Sequence, residues 1–95
     1  MTRVPGLVIV EADLSREADA HDVRDMTATY ALDPLGNGGP LPPDVLARLI
    51  DGLRATPTAL VFLAYIDGEL AGIATCFRGF STFQARPLIN VHDLA

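Results

Sequence analysis

A single hairpin signal constrains the fold of this chain more than any other feature. The run Leu60–Ile66 is rich in β-branched, aromatic and aliphatic residues, and its apolar side chains occupy both odd and even positions. Asp67-Gly68 follows and favours a two-residue turn, because both positions tolerate positive φ. The run Glu69–Phe77 predicts the return strand. The pairings expected from such a turn are Ile66 with Glu69, Ala64 with Ala71, and Phe62 with Ile73. Strands that are apolar on both faces lie inside a covered sheet.

Periodicity and turn signals predict the remaining elements: a strand over about residues 6–12, helices over about 15–31 and 43–55, and a fourth strand over 88–94. The two helices are expected to cover the two faces of the sheet. Asp13 or Ser15 is expected to cap the first helix. Residues 78–87 are predicted to be a loop. The order is therefore β-α-α-β-β-β, which places the chain in the α+β (α/β) class.

Composition excludes several classes of protein. A chain of 95 residues forms one domain at most. Seven basic residues against twelve acidic residues leave a net charge of −5, which disfavours nucleic acid and anionic membranes but suits an amine substrate. The apolar run Ala59–Ile66 is too short to span a bilayer. No export signal is recognised, so a cytoplasmic location is expected.

Neither metal nor phosphate binding is predicted. Cys76 is the single cysteine, so no disulfide or cysteine zinc cluster can form within the chain, and a buried inert thiol is expected. His21, with Asp22 and Asp25 around it, is interpreted as a solvated helix face. The glycine-rich segment 36–39 is interpreted as a flexible connection, because it joins two helices and lacks the strand–loop–helix context of phosphate sites.

Several strings, in this order and spacing, resemble the N-terminal half of the GNAT superfamily, the GCN5-related N-acetyltransferases. The matching strings are Val8–Ala12, Val61–Ala64, Asp67-Gly68, Leu70–Ala74 and Leu88–Ala95. Phe80–Phe83, Arg86–Leu88 and His92–Leu94 are also similar to one small bacterial subgroup. The resemblance covers essentially the whole chain. It implies a mixed, mainly antiparallel GNAT-like sheet.

The resemblance also implies that part of the domain is missing. In that family an Arg/Gln-x-x-Gly-x-Gly/Ala loop after the fourth strand cradles the coenzyme A pyrophosphate at a helix N-terminus. This chain stops at Ala95, before such a loop, so residues 1–95 are expected to be an N-terminal half that is inactive alone. A truncation, a proteolytic cut or a natural split would each give this result. The exposed fourth strand is expected to pair with the missing half or with a second copy.

The implied reaction is direct acetyl transfer from acetyl-CoA, as cosubstrate, to a small amine. Some family members carry a catalytic base at the position of His92, and a structural histidine is the equally weighted alternative. Strand alternation is expected to place Asn90, His92 and Leu94 on one face and Ile89, Val91 and Asp93 on the other. Asn90 and His92 are the candidate catalytic residues. Asp93 is interpreted as a structural acceptor rather than a catalytic carboxylate.

Further roles follow from the resemblance. The backbone groups of Leu94 and Ala95 match the place where the family binds the pantetheine of coenzyme A. Tyr30, Phe80 and Phe83 are candidate substrate-binding residues, with core or loop packing as the alternative for each. A competing hypothesis is a non-catalytic GNAT-like module that associates through its exposed fourth strand.

Overall fold

A four-stranded antiparallel sheet with the strand order β1-β2-β3-β4 organises the chain. The structure is a computed structural model and describes residues 5–95. Its elements are β1 (Leu7–Glu11), α1 (Glu17–Ala31), α2 (Pro43–Arg54), β2 (Ala59–Ile66), β3 (Glu69–Ser81) and β4 (Arg86–Leu94). The predicted α+β class and the order β-α-α-β-β-β are confirmed. No helix in residues 5–95 is both long enough and apolar enough to cross a membrane.

Both helices pack on the same face of the sheet. Val61 and Leu63 alternate on β2, and Ile73 of β3 lies directly opposite Leu63. These three side chains form one buried cluster with Val23 of α1 and Ile50 of α2. We call this side the helix face and the other side the open face. The expectation that one helix covers each face is therefore wrong, because α1 and α2 bury their apolar stripes together on one side.

The open face keeps an apolar surface. Phe62, Ala64 and Ala74 alternate with the core residues and point to this side, together with Ile9 of β1 and Leu94 of β4. Ile9 is 63% exposed and Leu94 is 72% exposed. The apolar pattern of β2 and β3 predicted cover on both faces, whereas the helices within residues 5–95 cover only one.

The hairpin between β2 and β3 contains one residue more than the turn rule predicts. Asp67 and Gly68 take positive φ values of 51° and 82°, and Ile66 pairs with Glu69 as expected. Beyond that point Ala71 is an extra residue in a β-bulge. The expected pairings of Ala64 with Ala71 and of Phe62 with Ile73 are therefore wrong. The observed partners are Gly72 for Ala64, Ala74 for Phe62 and Ile73 for Leu63.

The predicted loop over residues 78–87 is mostly strand. β3 continues to Ser81, β4 begins at Arg86, and these two residues pair with each other. The connection is reduced to residues 82–85, where the Gln84 N–H donates to the Ser81 hydroxyl at 3.2 Å. Backbone hydrogen bonds of the ladder extend the hairpin past the apolar core, and for this reason the side-chain pattern did not reveal it.

The first helix begins without the predicted side-chain cap. Arg16 occupies the N-cap position and makes no capping hydrogen bond. Asp13 instead accepts hydrogen bonds from the Ser15 N–H at 3.0 Å and the Ser15 hydroxyl at 2.6 Å. The hydroxyl bond is the main reason that the pKa of Asp13 lies below its ordinary value. The Asp19 carboxylate accepts from the Asp13 N–H at 2.8 Å, so the two residues order the entry to α1.

Candidate functional site

A second bulge lies near the end of β4 and changes which side chains share a face. Thr75 pairs with Asp93 and Cys76 pairs with Val91, so His92 is the extra residue. Because Thr75 follows Ile73 by two positions on β3, its partner Asp93 lies on the helix face. Strand alternation predicted Asp93 on the face opposite to His92 and Leu94; Asp93 does lie opposite to Leu94, but it shares the helix face with His92, so that part of the prediction is wrong.

The bulge also separates Leu94 from Asn90. Asn90 is opposite Phe77 on the helix face, whereas Leu94 is opposite Ala74 on the open face. The predicted common face for Asn90, His92 and Leu94 is therefore corrected. An extra residue in one strand interrupts the two-residue period, and every side chain beyond it changes sides.

His92 is accessible and is held by a neighbouring aromatic ring. Its imidazole packs edge-on against Phe77, with ring centroids 5.6 Å apart, so it lies on the helix-face side. Its side chain is 66% exposed, and its Nε2 lies 3.9 Å from Oδ2 of Asp93. That distance is too long for a direct hydrogen bond, but it places a proton acceptor beside a carboxylate. The geometry allows both roles considered for His92, a base and a structural residue.

Asn90 is directed away from His92 along the strand. A Cβ atom at Gly79 would lie 3.1 Å from Nδ2 of Asn90, so the amide lies over the glycine. Gly79 is nearer to the hairpin tip than Phe77, the ring that contacts His92. The two candidate catalytic residues share the helix face, but each contacts a different residue of β3, Phe77 for His92 and Gly79 for Asn90.

A cleft of about 260 Å³ lies between the end of α1, the α1–α2 loop and β4. We call it the α1–β4 cleft. Tyr30 and Asp93 line it together, and Asp93 is the one charged side chain among the lining residues. The other lining residues are Thr27, Ala31, Leu35, Gly36, Asn37 and Leu41. Tyr30 was predicted from the sequence, whereas Asp93 reaches the cleft only because of the bulge.

The α1–α2 loop is folded tightly against the end of α1. The Tyr30 hydroxyl donates to the Leu35 carbonyl at 3.3 Å, and the Leu35 N–H donates to the Asp33 carboxylate at 2.8 Å. The N–H groups of Gly36 and Gly38 donate to the Asp33 carbonyl at 2.9 Å and 3.1 Å. The glycine-rich segment therefore differs from the expected plain connection, because its amides are bonded within the loop.

Gly36 is needed because the backbone passes close to α1. A Cβ atom at this position would lie 2.4 Å from the Tyr30 carbonyl oxygen. No larger residue fits without moving the loop. Gly36 thus fixes the wall of the α1–β4 cleft.

A second cleft of about 360 Å³ lies beside the first and shares Tyr30 and Leu35 with it. Leu94 and Ala95 line this cleft. The Ala95 N–H donates to the Ile73 carbonyl at 3.0 Å, and the Ile73 N–H donates to the Ala95 carbonyl at 2.9 Å. Because hydrogen-bonded and non-hydrogen-bonded pairs alternate in an antiparallel ladder, the N–H and C=O of Leu94 point to the outer edge of β4.

The two phenylalanines of the hairpin lie apart from both clefts. Phe80 is 62% exposed and Phe83 is 98% exposed, and Phe83 lies at the hairpin tip. From Arg86 to Asp93 the strand extends about 23 Å. The structure thus brings Tyr30, Leu94 and Ala95 together and leaves the phenylalanines at the far end of β4.

The cluster around His21 is a surface contact between α1 and β2. The Tyr65 hydroxyl donates to the Asp22 carboxylate at 2.6 Å, and His21 Nδ1 lies 3.3 Å from the other oxygen. The Tyr65 bond lowers the pKa of Asp22, and the same bond, with burial, raises the pKa of Tyr65 to about 12. Across residues 5–95 no group of three metal-binding side chains is present. Cys76 is buried, as expected.

Comparison with known proteins adds one structural relationship. No protein-family model matches the chain, and no curated protein sequence matches it. The fold is similar to the crystal structure of a possible acetyltransferase from Clostridium difficile 630, with a TM-score of 0.64 and 14% sequence identity. The match covers 90% of this chain and 57% of that chain, so the chain spans little more than half of that protein. At this identity the likeness shows a shared fold.

Proposed function

We propose that the chain is the acceptor-side half of a GNAT-type N-acetyltransferase, which transfers acetyl from acetyl-CoA directly to a small amine. One observation carries the proposal. The bulge in β4 places His92 and Asp93 on the helix face, with Asp93 in the α1–β4 cleft. At the next residue, the backbone N–H and C=O of Leu94 point to the outer edge of β4. The fold shared with a possible acetyltransferase supports the same reaction class.

The chemistry requires few groups from the protein. An amine in the cleft loses its proton to the exposed His92 imidazole, directly or through water. The neutral nitrogen then attacks the thioester carbonyl and gives up a second proton as the amide forms, while the carbon–sulfur bond breaks and the leaving thiolate takes up that proton. No side-chain nucleophile is required. The one thiol in the sequence, Cys76, is buried and does not line the cleft.

Leu94 and Ala95, the two residues predicted to bind the pantetheine of acetyl-CoA, differ in how well they can do so. The outward N–H and C=O of Leu94 can bond an amide of the pantetheine chain as a neighbouring strand would. Ala95 already exchanges both of its backbone hydrogen bonds with Ile73. The amides of Gly36 and Gly38 are also bonded within their loop, so they do not form a pyrophosphate cradle. We therefore expect this chain alone to bind acetyl-CoA weakly and to transfer acetyl slowly or not at all.

An NMR titration of the ¹⁵N-labelled chain with acetyl-CoA tests the proposal. Amide shifts are expected at residues 91–95, with an affinity weaker than micromolar. Adenosine 3′,5′-bisphosphate, which lacks pantetheine, serves as the matched ligand and is expected to leave these amides unchanged. Sub-micromolar binding would contradict the half-domain assignment. Absence of shifts along β4 would contradict the position proposed for the cosubstrate.

The open edge of β4 favours a second candidate, a non-catalytic module that associates through this strand. β4 has no partner on its outer side within residues 5–95, and Val91 on its open face is 60% exposed. Light scattering across a concentration series measures this association. Val91→Lys is expected to weaken it, because a charge on an edge strand opposes pairing. Association without any response to acetyl-CoA would favour the module over the enzyme.

A further inference from the structure

Polar groups in the α1–β4 cleft are arranged to accept hydrogen bonds. The Thr27 hydroxyl donates its proton to the Val23 carbonyl at 2.7 Å, and the Tyr30 hydroxyl donates to the Leu35 carbonyl at 3.3 Å. Each oxygen keeps lone pairs after its proton has been used within the fold. The Asn37 amide nitrogen donates to the Gly39 carbonyl at 3.3 Å, which leaves its oxygen as an acceptor. Asn37 keeps one amide N–H as a donor, whereas the hydroxyls of Thr27 and Tyr30 offer only acceptors, so a ligand rich in hydrogen-bond donors matches the lining.

Asp93 adds the single negative charge. Its side chain is 37% exposed, so it is partly withdrawn from water where it meets the cleft. Arg is absent from the residues that line the cleft, and the basic group beside the carboxylate is His92, whose Nε2 lies 3.9 Å away and outside that lining. Partial burial strengthens an ion pair relative to the fully solvated surface.

The remaining walls set the size and character of the ligand. Ala31, Leu35 and Leu41 give the cleft an apolar side. Its volume of about 260 Å³ is just below the usual range for small-molecule sites, which begins at about 300 Å³. These dimensions suit a small amine with an apolar body and exclude a large polar chain.

We propose that Asp93 is the specificity-determining residue of the cleft, where it binds the ammonium group of a small primary amine. Thr27 and Tyr30 supply further acceptors, and the apolar wall holds the body of the ligand. The inference rests on the proposed function and names the residue that recognises its acceptor amine. It also places the ammonium protons near His92, whose Nε2 lies 3.9 Å from the Asp93 carboxylate.

Binding of phenethylamine to the full chain, followed by NMR without acetyl-CoA, tests this inference. We expect shifts at Thr27, Tyr30, Asn37 and Asp93 at millimolar amine. Phenethyl alcohol has the same body without the charge and is expected to bind about tenfold more weakly. This comparison uses the unaltered protein and does not depend on the folding of a variant.

Variants then assign the effect to one carboxylate. Asp93→Asn is expected to weaken phenethylamine binding about tenfold, and Asp93→Glu is expected to restore part of it. Asp25→Asn, on the exposed surface of α1, makes the same change in charge and is expected to leave affinity unchanged. Equal binding of the alcohol, an unchanged affinity in Asp93→Asn, or no binding at millimolar amine would each overturn the inference.

The amine titration and the acetyl-CoA titration fail independently. Amine binding through Asp93 without any acetyl-CoA response along β4 would retain the inference and reject the acetyltransferase. The reverse result would retain the acetyltransferase and place its acceptor elsewhere.

Discussion

The imidazole of His92 stands edge-on to the ring of Phe77, with an angle of 76° between the two planes and 5.6 Å between their centroids. Phe77 also faces Leu49 and Leu53 of α2 across a groove on the helix face. One aromatic ring thus borders both the histidine and the groove beside the second helix. Among the described residues, the His92 side chain makes no hydrogen bond. Its ring is therefore positioned by packing against Phe77, and both ring nitrogens are available for hydrogen bonding.

Removing the Phe77 ring should affect both the fold and His92. Phe77→Ala is expected to lower the free energy of unfolding by about 2 kcal/mol, because a half-buried aromatic side chain and its contact with His92 are both lost. His92→Ala is expected to lower it by only about 0.5–1 kcal/mol, the contribution of an aromatic pair. Urea denaturation measures both variants. Equal losses of stability in the two variants would show that Phe77 stabilises the fold only through its contact with His92.

Replacing Gly36 should disturb the wall of the α1–β4 cleft. Gly36→Ala is expected to lower the free energy of unfolding by about 1–3 kcal/mol, because the new Cβ would overlap the Tyr30 carbonyl. Gly39→Ala is the matched control, since no atom lies within 4 Å of its Cβ position. That control is expected to leave stability unchanged or raise it by up to about 1 kcal/mol. A Gly36→Ala protein as stable as the control would contradict the close approach.

Gly72 of β3 lies against the end of β4 and should be as necessary to the fold as Gly36. A Cβ atom there would lie 2.9 Å from the Ala95 carbonyl oxygen, so Gly72→Ala is expected to displace Ala95 from Ile73. Faster hydrogen exchange at the Ile73 amide measures this loss directly. Gly52→Ala, in the exposed part of α2, has open space and is expected to stabilise the protein by about 0.5–1 kcal/mol. Unchanged exchange at Ile73 would show that β4 tolerates the added methyl group.

The contact between Tyr65 and Asp22 predicts a dependence of stability on pH. The bond lowers the pKa of Asp22, so its stabilisation is present above the ordinary value of 3.8 and is lost as pH falls through the lowered value. Tyr65→Phe is expected to cost about 1 kcal/mol at neutral pH and progressively less in acid. The pKa of Tyr65 is raised to about 12, so the same bond weakens as pH rises from 10 through that value.

Urea denaturation between pH 2 and pH 7 measures the acid side of this dependence. Tyr30→Phe is the matched control, because the Tyr30 hydroxyl donates to the neutral carbonyl of Leu35. Tyr30→Phe is expected to change the free energy of unfolding by the same amount at every pH between 2 and 7. A cost of Tyr65→Phe that does not change in acid would contradict the role of the Asp22 carboxylate.

The elements of the fold were predictable because their signals are local. Asp67 and Gly68 tolerate the positive φ that a two-residue turn requires, and the apolar stripe of α2 follows the helical period. The side of the sheet on which each helix packs was not predictable, because an apolar stripe does not specify its partner. The extension of β3 to Ser81 was missed because backbone pairing, rather than buried side chains, forms that part of the hairpin.

The candidate site was only partly predictable for a different reason. Tyr30 was found from its place at the end of α1, and Leu94 from its place in β4. Asp93 was assigned to the wrong face, because the bulge at His92 has no signature in the sequence. An alanine and a histidine, Ala71 and His92, are the extra residues of the two bulges, and neither type marks a bulge. Cross-strand packing decides where such a residue is accommodated.

The extra residue at His92 also determines how easily such a cleft could acquire new chemistry. Loss of the His92 codon would close the bulge and leave Asp93 opposite Thr75 and Val91 opposite Cys76, so the carboxylate would keep its place in the cleft. A single in-frame deletion can therefore remove the imidazole while the carboxylate and the rest of the sheet stay in register.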